Sequence, residues 1–397
     1  MSGNDSTNDA AAQRTQVAIV GAGPAGLLLS HLLYLHGISS VLLETRTRDY
    51  IEQRVRAGVL EHGTTEILRQ AGVHERMDAE GMPHEGIELR YDQAAHRIPM
   101  TDLTGRRITV YGQQEVVKDL VAQRLADDGD VRFEVSDVAV HDVDSERPTV
   151  TFTQDGRQHA VTADVVAGCD GFHGVCRPSL GDTLQTFVRD YPFAWLGILA
   201  RSTPRTDELI YASHDRGFAL YSMRSHEVTR LYLQVDTDET LENWPDERIW
   251  DELSQRFSLD GAAWDPGRGE IFERGITPMR SFVTEPMQRG RLVLAGDAVH
   301  IVPPTGAKGM NLAVHDVWLL ARALDAWYSH DDESLLRRYS DDALLRVWRA
   351  QHFSWWMTSM LHRFGDDAYQ RKLQIAQLNN VTSSTAYATA LAENYVG

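Results

Sequence analysis

The segment QVAIVGAGPAGLLLSHLLYLHGISSVLLE, residues 16–44, decides the fold. A short run rich in β-branched residues, QVAIV, precedes the glycine turn GAGPAG, and an apolar stretch from Ala25 to His36 follows it. The next apolar run, SSVLLE, ends in Glu44. This pattern of strand, glycine turn, helix and second strand predicts a parallel sheet.

The three glycines of the turn have separate predicted roles in dinucleotide binding. Gly21 allows the tight turn, Gly23 lets the backbone approach a pyrophosphate, and Gly26 lets the helix pack closely on the strand. The helix start at Ala25 offers N–H groups and a partial positive charge to the phosphates. Glu44 ends the second strand, where its carboxylate can accept hydrogen bonds from ribose hydroxyls. The motif alone does not separate FAD from NAD.

The composition limits the kinds of partner that the protein can have. The chain has 397 residues, 42% of them hydrophobic and 24% charged, which is typical of a globular protein. Its formal net charge of -18 disfavours nucleic acid and anionic membrane surfaces. The two cysteines, Cys169 and Cys176, provide neither a disulfide framework nor the spacing of a metal site. The N-terminus does not resemble a signal peptide. We therefore expect a cytoplasmic protein without bound metal.

The pattern of apolar and polar residues changes along the chain and predicts four regions. Residues 1–15 are expected to be a disordered tail, and residues 16–180 a dinucleotide-binding domain that contributes part of a second sheet near 84–110. A helix is expected over Gln114–Asp127. Residues 181–285 contain FAWLGILA, ELIYAS, GFALYSM and TRLYLQV, which predict successive antiparallel strands of a substrate domain. Residues 286–397 return to the first domain and become helical from Gly306. The predicted fold class is α/β: a doubly wound domain with an inserted antiparallel sheet and a helical C-terminal region.

Two further Gly/Asp motifs follow predicted strands. They are AGCDG (167–171), which contains Asp170, and LAGDAVHIVPPTGAKGMN (294–311). In this order they resemble the second and third fingerprints of single-component FAD monooxygenases. The resemblance implies that Asp297 holds the far ribose of FAD.

The third motif also predicts the wall beside the flavin. Pro303 and Pro304 stiffen the segment, and Gly306 and Gly309 let the backbone contact the ring. The helix that opens there, including Met310 and Asn311, would point its N–H groups at the flavin pyrimidine. A helix N-terminus stabilises the negative charge that reduced flavin carries.

Stretches spread over nearly the whole chain resemble the family of 4-hydroxybenzoate 3-monooxygenases. They are RVRAGVLE (54–61), HEGIEL (84–89), VYGQ (110–113), AGCDGFHG (167–174), ELIYA (208–212), GFALYSMRS (217–225), PMRSF (278–282), FSWWMTSMLHRF (353–364) and ENYVG (393–397). The resemblance implies FAD as cofactor, NADPH or NADH as co-substrate, and O2. It implies hydroxylation of 4-hydroxybenzoate to 3,4-dihydroxybenzoate (protocatechuate) through a flavin C4a-hydroperoxide. Members of the family are commonly homodimers.

The resemblance also assigns roles to single residues. It places the substrate carboxylate at Ser222, Arg224 and Tyr232, and the substrate phenol at Tyr211 and the carbonyl of Pro304. Tyr395 is the hydrogen-bond neighbour of Tyr211, and His84 ends a proton path towards solvent. The implied FAD contacts are Arg54, Arg56, Gln113 and Arg230, and the implied nicotinamide-dinucleotide contacts are His173 and Arg280. Trp195 is expected to pack in the core near the pocket.

The chain departs from the family at one position that bears on the co-substrate. Some members have an arginine directly after the ribose-binding glutamate, whereas this chain has Thr45, followed by Arg46, Thr47 and Arg48. Arg46 and Arg48 are candidates for binding a 2′-phosphate. We expect the protein to accept NADH alongside NADPH.

Two alternative functions remain open from the sequence. The first is hydroxylation of another para-substituted benzoate such as 4-aminobenzoate. The second is a non-catalytic, regulatory role for an FAD-binding protein. Tyr211, Arg224 and Tyr395 together favour an enzyme, because a redox sensor needs no pocket for a phenol.

Overall fold

The computed structural model describes residues 13–55, 58–365 and 367–397. In chain order the strands are β1 (Gln13–Arg14), β2 (Val17–Val20), β3 (Ser40–Leu43), β4 (Val59–Leu60), β5 (Met82–His84), β6 (Ile87–Tyr91), β7 (Ala94–Ile98), β8 (Ile108–Val110), β9 (Asp130–Arg132), β10 (Ser136–His141), β11 (Thr149–Gln154), β12 (Arg157–Thr162), β13 (Val165–Gly168), β14 (Gln185–Arg201), β15 (Leu209–His214), β16 (Gly217–Met223), β17 (Val228–Val235), β18 (Glu270–Glu285), β19 (Gln288–Arg289), β20 (Leu292–Leu294) and β21 (His300–Ile301). The helices are α1 (Pro24–Leu35), α2 (Arg48–Gln53), α3 (His62–Gln70), α4 (Glu75–Glu80), α5 (Met100–Thr104), α6 (Gln113–Ala126), α7 (Asp246–Arg256), α8 (Gly309–His330), α9 (Ser334–Leu361), α10 (Ala368–Ser383) and α11 (Thr385–Val396). Within these ranges no helix is both long and apolar enough to cross a bilayer.

The first sheet is the predicted parallel sheet. Its strand order is β19-β20-β13-β2-β3-β9, and every pair is parallel except β19 with β20. All four residues of β2 are buried, and α1 packs against α6 and α8. Strands buried on both faces read as continuous apolar runs, and residues 17–20 and 40–43 have that pattern.

The second large sheet has eight strands in the order β21-β18-β14-β17-β16-β15-β6-β7. It contains the four predicted antiparallel strands as parts of β14, β15, β16 and β17. Tyr211 of β15 lies opposite Leu220 of β16, which lies opposite Tyr232 of β17. Residues directly opposite each other point to the same face of a sheet, so Tyr211 and Tyr232 share one face.

The two faces of this sheet belong to different cores. The face with Tyr211 packs against α9, α10 and α11, to which Met357, Leu378 and Leu391 belong. The other face, with Tyr221, packs against α7 through Ile249, Trp250 and Leu253. Because side chains alternate along each strand, one face of the sheet contacts the C-terminal helices and the other contacts α7.

Three sequence-based boundaries differ from the structure. Residues 13–15, assigned to the tail, join a sheet of order β1-β12-β11-β10, because their backbone pairs with β12 and Thr15 N–H donates to Thr162 O at 3.0 Å. The strands expected over 87–110 are interrupted by α5. The last helical region begins with a 3-10 turn at Pro304–Gly306, and α8 starts only at Gly309, since Ala307 has a left-handed backbone with φ of 53°.

The small third sheet has the strand order β4-β8-β5. In the chain, β4 and β5 precede β6 and β7 of the substrate sheet, and β8 follows them. Helix α6 begins directly after it, at Gln113, one residue before the predicted start. The start of α6 therefore follows β8, which pairs with β5, and β5 is followed in the chain by β6 of the substrate sheet.

The turn before α1 generates a test of the fold. A Cβ at Gly26 would lie 1.9 Å from the carbonyl oxygen of Gly21, so Gly26→Ala must force α1 away from β2. We expect the variant to lose about 1–3 kcal/mol of unfolding free energy or more, as overpacked sites do. Urea unfolding with a fixed FAD concentration measures this loss.

Gly63 of α3 provides the matched control, because no atom of the described residues lies within 4 Å of its added Cβ. Gly63→Ala should leave the unfolding free energy unchanged or raise it by up to about 1 kcal/mol. Equal effects of the two substitutions would contradict the assigned role of Gly26.

Candidate active site

The glycine turn has the geometry that a dinucleotide-binding turn requires. Gly21 has a φ of 100°, and a Cβ there would lie 2.4 Å from the carbonyl oxygen of Cys169, so only glycine fits. Gly26 lets α1 pack closely against the turn, because it has no Cβ that would clash with Gly21. Around Gly23, by contrast, no described atom lies within 4 Å of an added Cβ. Two of the glycines therefore serve packing, and the third faces open space.

The start of α1 fits the diphosphate of FAD. Its N-cap is Gly23, and no side chain of the described residues caps the helix. Glu44 lies at the end of the neighbouring strand and accepts hydrogen bonds from the backbone N–H of Ala22 at 2.7 Å and of Arg46 at 2.8 Å. A carboxylate has further acceptor positions, so Glu44 can also accept from ribose hydroxyls.

The start of α8 offers a second uncapped helix end. No described side chain caps it, and Gly309 faces open space. Gly306 also packs closely in the protein, because a Cβ there would lie 2.7 Å from Oγ of Ser354 on α9. The Asn311 side chain accepts from Glu61 N–H at 2.9 Å and donates to two backbone carbonyls. The flavin contacts of Gly306, Met310 and Asn311 stay predictions.

The two predicted aspartates lie at the ends of parallel strands. Asp170 follows β13 and accepts from Cys176 N–H at 2.9 Å through Oδ2, while its buried Oδ1 has no partner in the described chain. Burial raises the pKa of the Asp170 carboxyl, although nearby N–H groups oppose the effect. Asp297 follows β20 and is exposed, in a 3-10 turn whose other two residues, Gly296 and Ala298, are buried. Since carboxyl ends of parallel strands meet at one edge, both lie where a dinucleotide binds in such sheets.

The phenol groups of Tyr211 and Tyr395 form a hydrogen bond at the centre of the substrate sheet. Tyr211 Oη also donates to the carbonyl oxygen of Thr305 at 3.3 Å, beside Pro304. Both tyrosines are buried, and burial raises both pKa values well above the ordinary one. They therefore remain protonated at neutral pH, and the structure brings together the pair that the sequence analysis linked.

Ser222 and Tyr232, which are assigned to the carboxylate, lie on the same face of the sheet as Tyr211, and Arg224 directly follows β16. Ser222 lies opposite Arg230 in the register of β16 and β17, and its hydroxyl donates to Met223 O at 3.0 Å. Burial, with Arg230 nearby, lowers the pKa of Arg224 to about 10. The Arg230 guanidinium lies over the ring of Tyr232 at 5.2 Å, and its Nε and Nη1 have no partner among the described residues. Two positive charges thus lie near each other on this face.

His84, which the sequence analysis placed at the end of a proton path towards solvent, lies away from the surface. It is buried, its Nε2 lies 3.2 Å from Sδ of Met223, and its Nδ1 has no partner within the described ranges. Burial lowers its pKa to about 4. The cause is local: β5 holds His84 beneath the substrate sheet, so the residue does not reach solvent in this conformation.

The residues predicted for the nicotinamide dinucleotide fall into two groups. Phe172 lies between exposed His173, with a ring-centroid distance of 4.9 Å, and Arg280, whose guanidinium is 5.5 Å from its ring. In a separate cluster, Arg46 and the predicted FAD contact Arg54 lie over Tyr50 at 5.3 and 5.9 Å. Arg48 donates instead to Glu52 at 2.6 Å. Gln113 is the first residue of α6, and Arg56 lies outside the described residues.

A buried charge cluster beside Tyr395 was missed by the sequence analysis. Lys308 donates to Glu61 and, at 3.1 Å, to the carbonyl oxygen of Tyr395; Arg346 of α9 also donates to Glu61. Burial lowers the pKa of Lys308, while Glu61 opposes the effect. This cluster holds α11, and with it Tyr395, against the start of α8. A lysine between two glycines in TGAKGMN was the available signal.

Trp195 has the predicted core position and a specific partner. Its Nε1 donates to Nε2 of His362 at 2.7 Å, and Nδ1 of His362 lies 3.1 Å from Thr358 O. Thr358 in turn donates through Oγ1 to Oγ1 of Thr305 at 2.9 Å. These bonds connect the sheet to the segment behind Pro304.

His300 and Asp316 fix the third motif to α8. The buried His300 Nε2 lies 2.7 Å from Asp316 Oδ2, which also accepts from Gly296 N–H at 2.9 Å. Burial alone would lower the pKa of His300, but Asp316, helped by Asp297, outweighs it, and the pKa is raised. The pair therefore contains a histidine that gains its charge more readily in the folded protein.

The uncapped helix starts, the acids at the strand ends and the aromatic face define a flavin-dependent aromatic monooxygenase site. A family model described as the FAD binding domain matches residues 14–354. The chain belongs to this family and, within it, to the p-hydroxybenzoate hydroxylases, since it is 48% identical over 97% of its length to p-hydroxybenzoate hydroxylase of Acinetobacter baylyi, of which 95% is covered.

More distant proteins are similar in sequence or in fold. A 3-(3-hydroxy-phenyl)propionate/3-hydroxycinnamic acid hydroxylase of Mycolicibacterium smegmatis is 26% identical, covering 84% of this chain and 58% of that protein. The crystal structure of p-nitrophenol 4-monooxygenase PnpA from Pseudomonas putida has a TM-score of 0.82 at 19% identity, covering 97% of this chain and 99% of that one. At this identity the structural similarity shows the fold alone.

The His300–Asp316 pair predicts a pH dependence of stability. Because the folded pKa of His300 is raised, its contribution is fully present below the unfolded value of about 6.5 and is lost as pH rises through the folded pKa. Replacing Asp316 by Asn removes this contribution. The difference in unfolding free energy between wild type and Asp316→Asn should therefore shrink from pH 6 upward, as measured by urea unfolding at constant FAD. A difference that grows with pH would show that His300 does not gain charge on folding.

Proposed function

We propose that the protein hydroxylates 4-hydroxybenzoate at C3, giving 3,4-dihydroxybenzoate (protocatechuate). The observation that carries the proposal is the strand register that puts Tyr211, Tyr232 and Ser222 on one face, with Arg224 directly after β16 and Tyr211 hydrogen-bonded to Tyr395. This face supplies a cation for one end of a para-substituted aromatic acid and a phenol pair for the other. The 48% identical relative is named for the same substrate.

The carboxylate end of the substrate is assigned to Arg224 and Ser222. A guanidinium forms two parallel hydrogen bonds with a carboxylate, which fixes the orientation of the ring as well as binding it. Burial makes this charge expensive without a partner, so an anionic ligand is favoured there. Tyr232, next to Arg230, completes this end.

The phenol end is assigned to Tyr211, Tyr395 and the Pro304–Thr305 backbone. Because both tyrosines remain protonated, the Tyr211 hydroxyl can donate to the substrate oxygen and favour its phenolate form. A phenolate places more electron density on the ortho carbon than a phenol does, which directs oxygen to C3. Tyr395 then donates its hydrogen bond to the Tyr211 oxygen, because a tyrosine hydroxyl has a single proton to donate.

Bound FAD, reduced by NADPH or NADH, supplies the activated oxygen from O2. The residues that would hold it are the turn Gly21–Gly26, Glu44, Asp170, Asp297 and the start of α8. The Phe172 cluster with His173 and Arg280 is the candidate contact for the co-substrate. The proposal includes a cytoplasmic homodimer, as expected from the family.

Hydroxylation of 4-aminobenzoate is the second candidate within the same site, since an amine can also contact Tyr211. A regulatory FAD-binding protein is less favoured, because the buried tyrosine pair and the neighbouring Arg224 and Arg230 would have no ligand to bind.

A substrate panel tests the proposal. The purified holoprotein is mixed with NADH or NADPH, O2 and 4-hydroxybenzoate, 3-hydroxybenzoate or 4-aminobenzoate, and the products are identified. We expect 4-hydroxybenzoate to stimulate oxidation of both nucleotides and to yield 3,4-dihydroxybenzoate. Faster conversion of the 3-isomer would overturn the pocket assignment, and oxidation unaffected by any benzoate would favour the regulatory role. A tenfold or larger preference for NADPH would contradict the expected use of NADH.

Tyr211→Phe tests the phenol end. The variant should still reduce FAD in the presence of substrate but hydroxylate about 100-fold more slowly, with consumed oxygen appearing as H2O2, since the loss of an acid–base group has that order of effect. Rapid-mixing absorbance, peroxide and product measurements separate the two steps. Tyr221→Phe is the matched control, because Tyr221 lies on the opposite face and accepts from Arg205 N–H at 2.7 Å. Normal product yield from Tyr211→Phe would remove this residue from the mechanism.

A further inference from the structure

The Gln114 side chain contacts the guanidinium of Arg224. Its Oε1 accepts a hydrogen bond from Nη2 of Arg224, across 110 positions of the chain. Gln114 is the second residue of α6, whereas Arg224 follows β16 of the substrate sheet. The contact therefore joins the helix start beside the predicted FAD contact Gln113 to the residue assigned to the substrate carboxylate.

Two glycines complete the surroundings of this guanidinium. A Cβ on Gly58 would lie 2.6 Å from Nη1 of Arg224, and a Cβ on Gly112 would lie 2.5 Å from Nη2. The same Cβ on Gly112 would lie 2.8 Å from Nε2 of Gln114. The guanidinium therefore packs against the main chain of two glycines, and its hydrogen bond to Gln114 orients it.

The charge of Arg224 is not compensated by this neighbour. A carboxamide is neutral, and no Asp or Glu within residues 13–55, 58–365 and 367–397 forms an ion pair with Arg224. Arg230 adds a second positive charge nearby, and burial is the largest cause of the lowered Arg224 pKa. A hydrogen bond from a neutral acceptor orients a guanidinium but leaves its charge available to an anion.

We propose that Gln114 is a specificity-determining residue for the hydroxylation: it orients Arg224 without neutralising it and so reserves the guanidinium for the carboxylate of the substrate. The inference rests on the proposed function, in which Arg224 binds that carboxylate. It adds that a neutral side chain at this position, as opposed to an acid of the same size, leaves the site selective for anionic aromatic ligands.

The two substitutions at this position have different expected effects. Gln114→Glu supplies a carboxylate from within the protein, so the substrate meets a neutralised guanidinium and a like charge. Its Kd for 4-hydroxybenzoate should rise at least tenfold, while binding of the neutral analogue 4-hydroxybenzamide changes less than threefold. Gln114→Met removes the acceptor but adds no charge, so 4-hydroxybenzoate should bind about threefold to tenfold more weakly, with the preference for acid over amide retained.

The experiment titrates each holoprotein with both ligands and follows the flavin absorbance, with FAD content and melting temperature as folding checks. Gln158→Glu, which makes the same chemical change at an exposed position of β12, is the charge control and should bind both ligands as wild type does. A role of Gln114 in stability alone would weaken both ligands equally and leave the acid-to-amide ratio unchanged in Gln114→Glu, which would overturn the proposal. Wild-type affinity of Gln114→Met would likewise overturn the orienting role.

Arg224→Ala separates this inference from the function on which it rests. If Arg224→Ala binds 4-hydroxybenzoate as tightly as wild type, the carboxylate assignment of the proposed function fails. If Arg224→Ala loses the preference for the acid but Gln114→Glu keeps it, the proposed function stands and the inference about Gln114 is wrong.

Discussion

The register between β15, β16 and β17 is the constraint on which the substrate face depends. Tyr211, Leu220 and Tyr232 lie opposite one another, and Ser222 and Arg230 form the next such pair. Because side chains alternate along a strand, a slip of one residue would turn the tyrosines towards α7 and replace them with aliphatic side chains. The apolar cores on both faces prevent this slip, since each buries the residues of its own face.

The substrate face is completed by elements that are distant in the chain. Tyr395 comes from α11, and the carbonyl of Thr305 from the turn before α8. Lys308 connects these two elements by donating to both Glu61 and the Tyr395 carbonyl. A buried ion pair of this kind contributes little net stability, but removing one partner leaves an uncompensated charge. The cluster therefore determines the position of α11 more than it adds to the stability of the protein.

Local patterns in the sequence were sufficient for much of the fold and for the cofactor region. The turn from Gly21 to Gly26, the strand before it and Glu44 after it follow from spacing, because short-range sterics determine them. The alternating strands of the substrate sheet were predictable for the same reason. The pairing of Tyr211 with Tyr395 came only from the resemblance to a family, since nothing local relates residues 184 positions apart.

Other features depend on tertiary packing that a pattern does not contain. His84 was expected to reach solvent, and its burial under the substrate sheet depends on β5 pairing with β8. Gly306 was assigned to a cofactor contact, and the pattern did not show that Ser354 of α9 also approaches it closely. Lys308 and Gln114 act through long-range contacts, which the spacing of a local motif does not reveal. The roles of the individual site residues remain predictions.

The bond between Trp195 and His362 has a consequence for how the site responds to acid. Both ring nitrogens are engaged, with Nε2 accepting from the indole and Nδ1 directed at Thr358 O, so only the uncharged tautomer fits. Burial lowers the pKa of His362 to about 3. His362 therefore stays uncharged at neutral and mildly acidic pH, and the stacked rings of Trp195, Phe218 and His362 add no titrating charge to this face of the sheet.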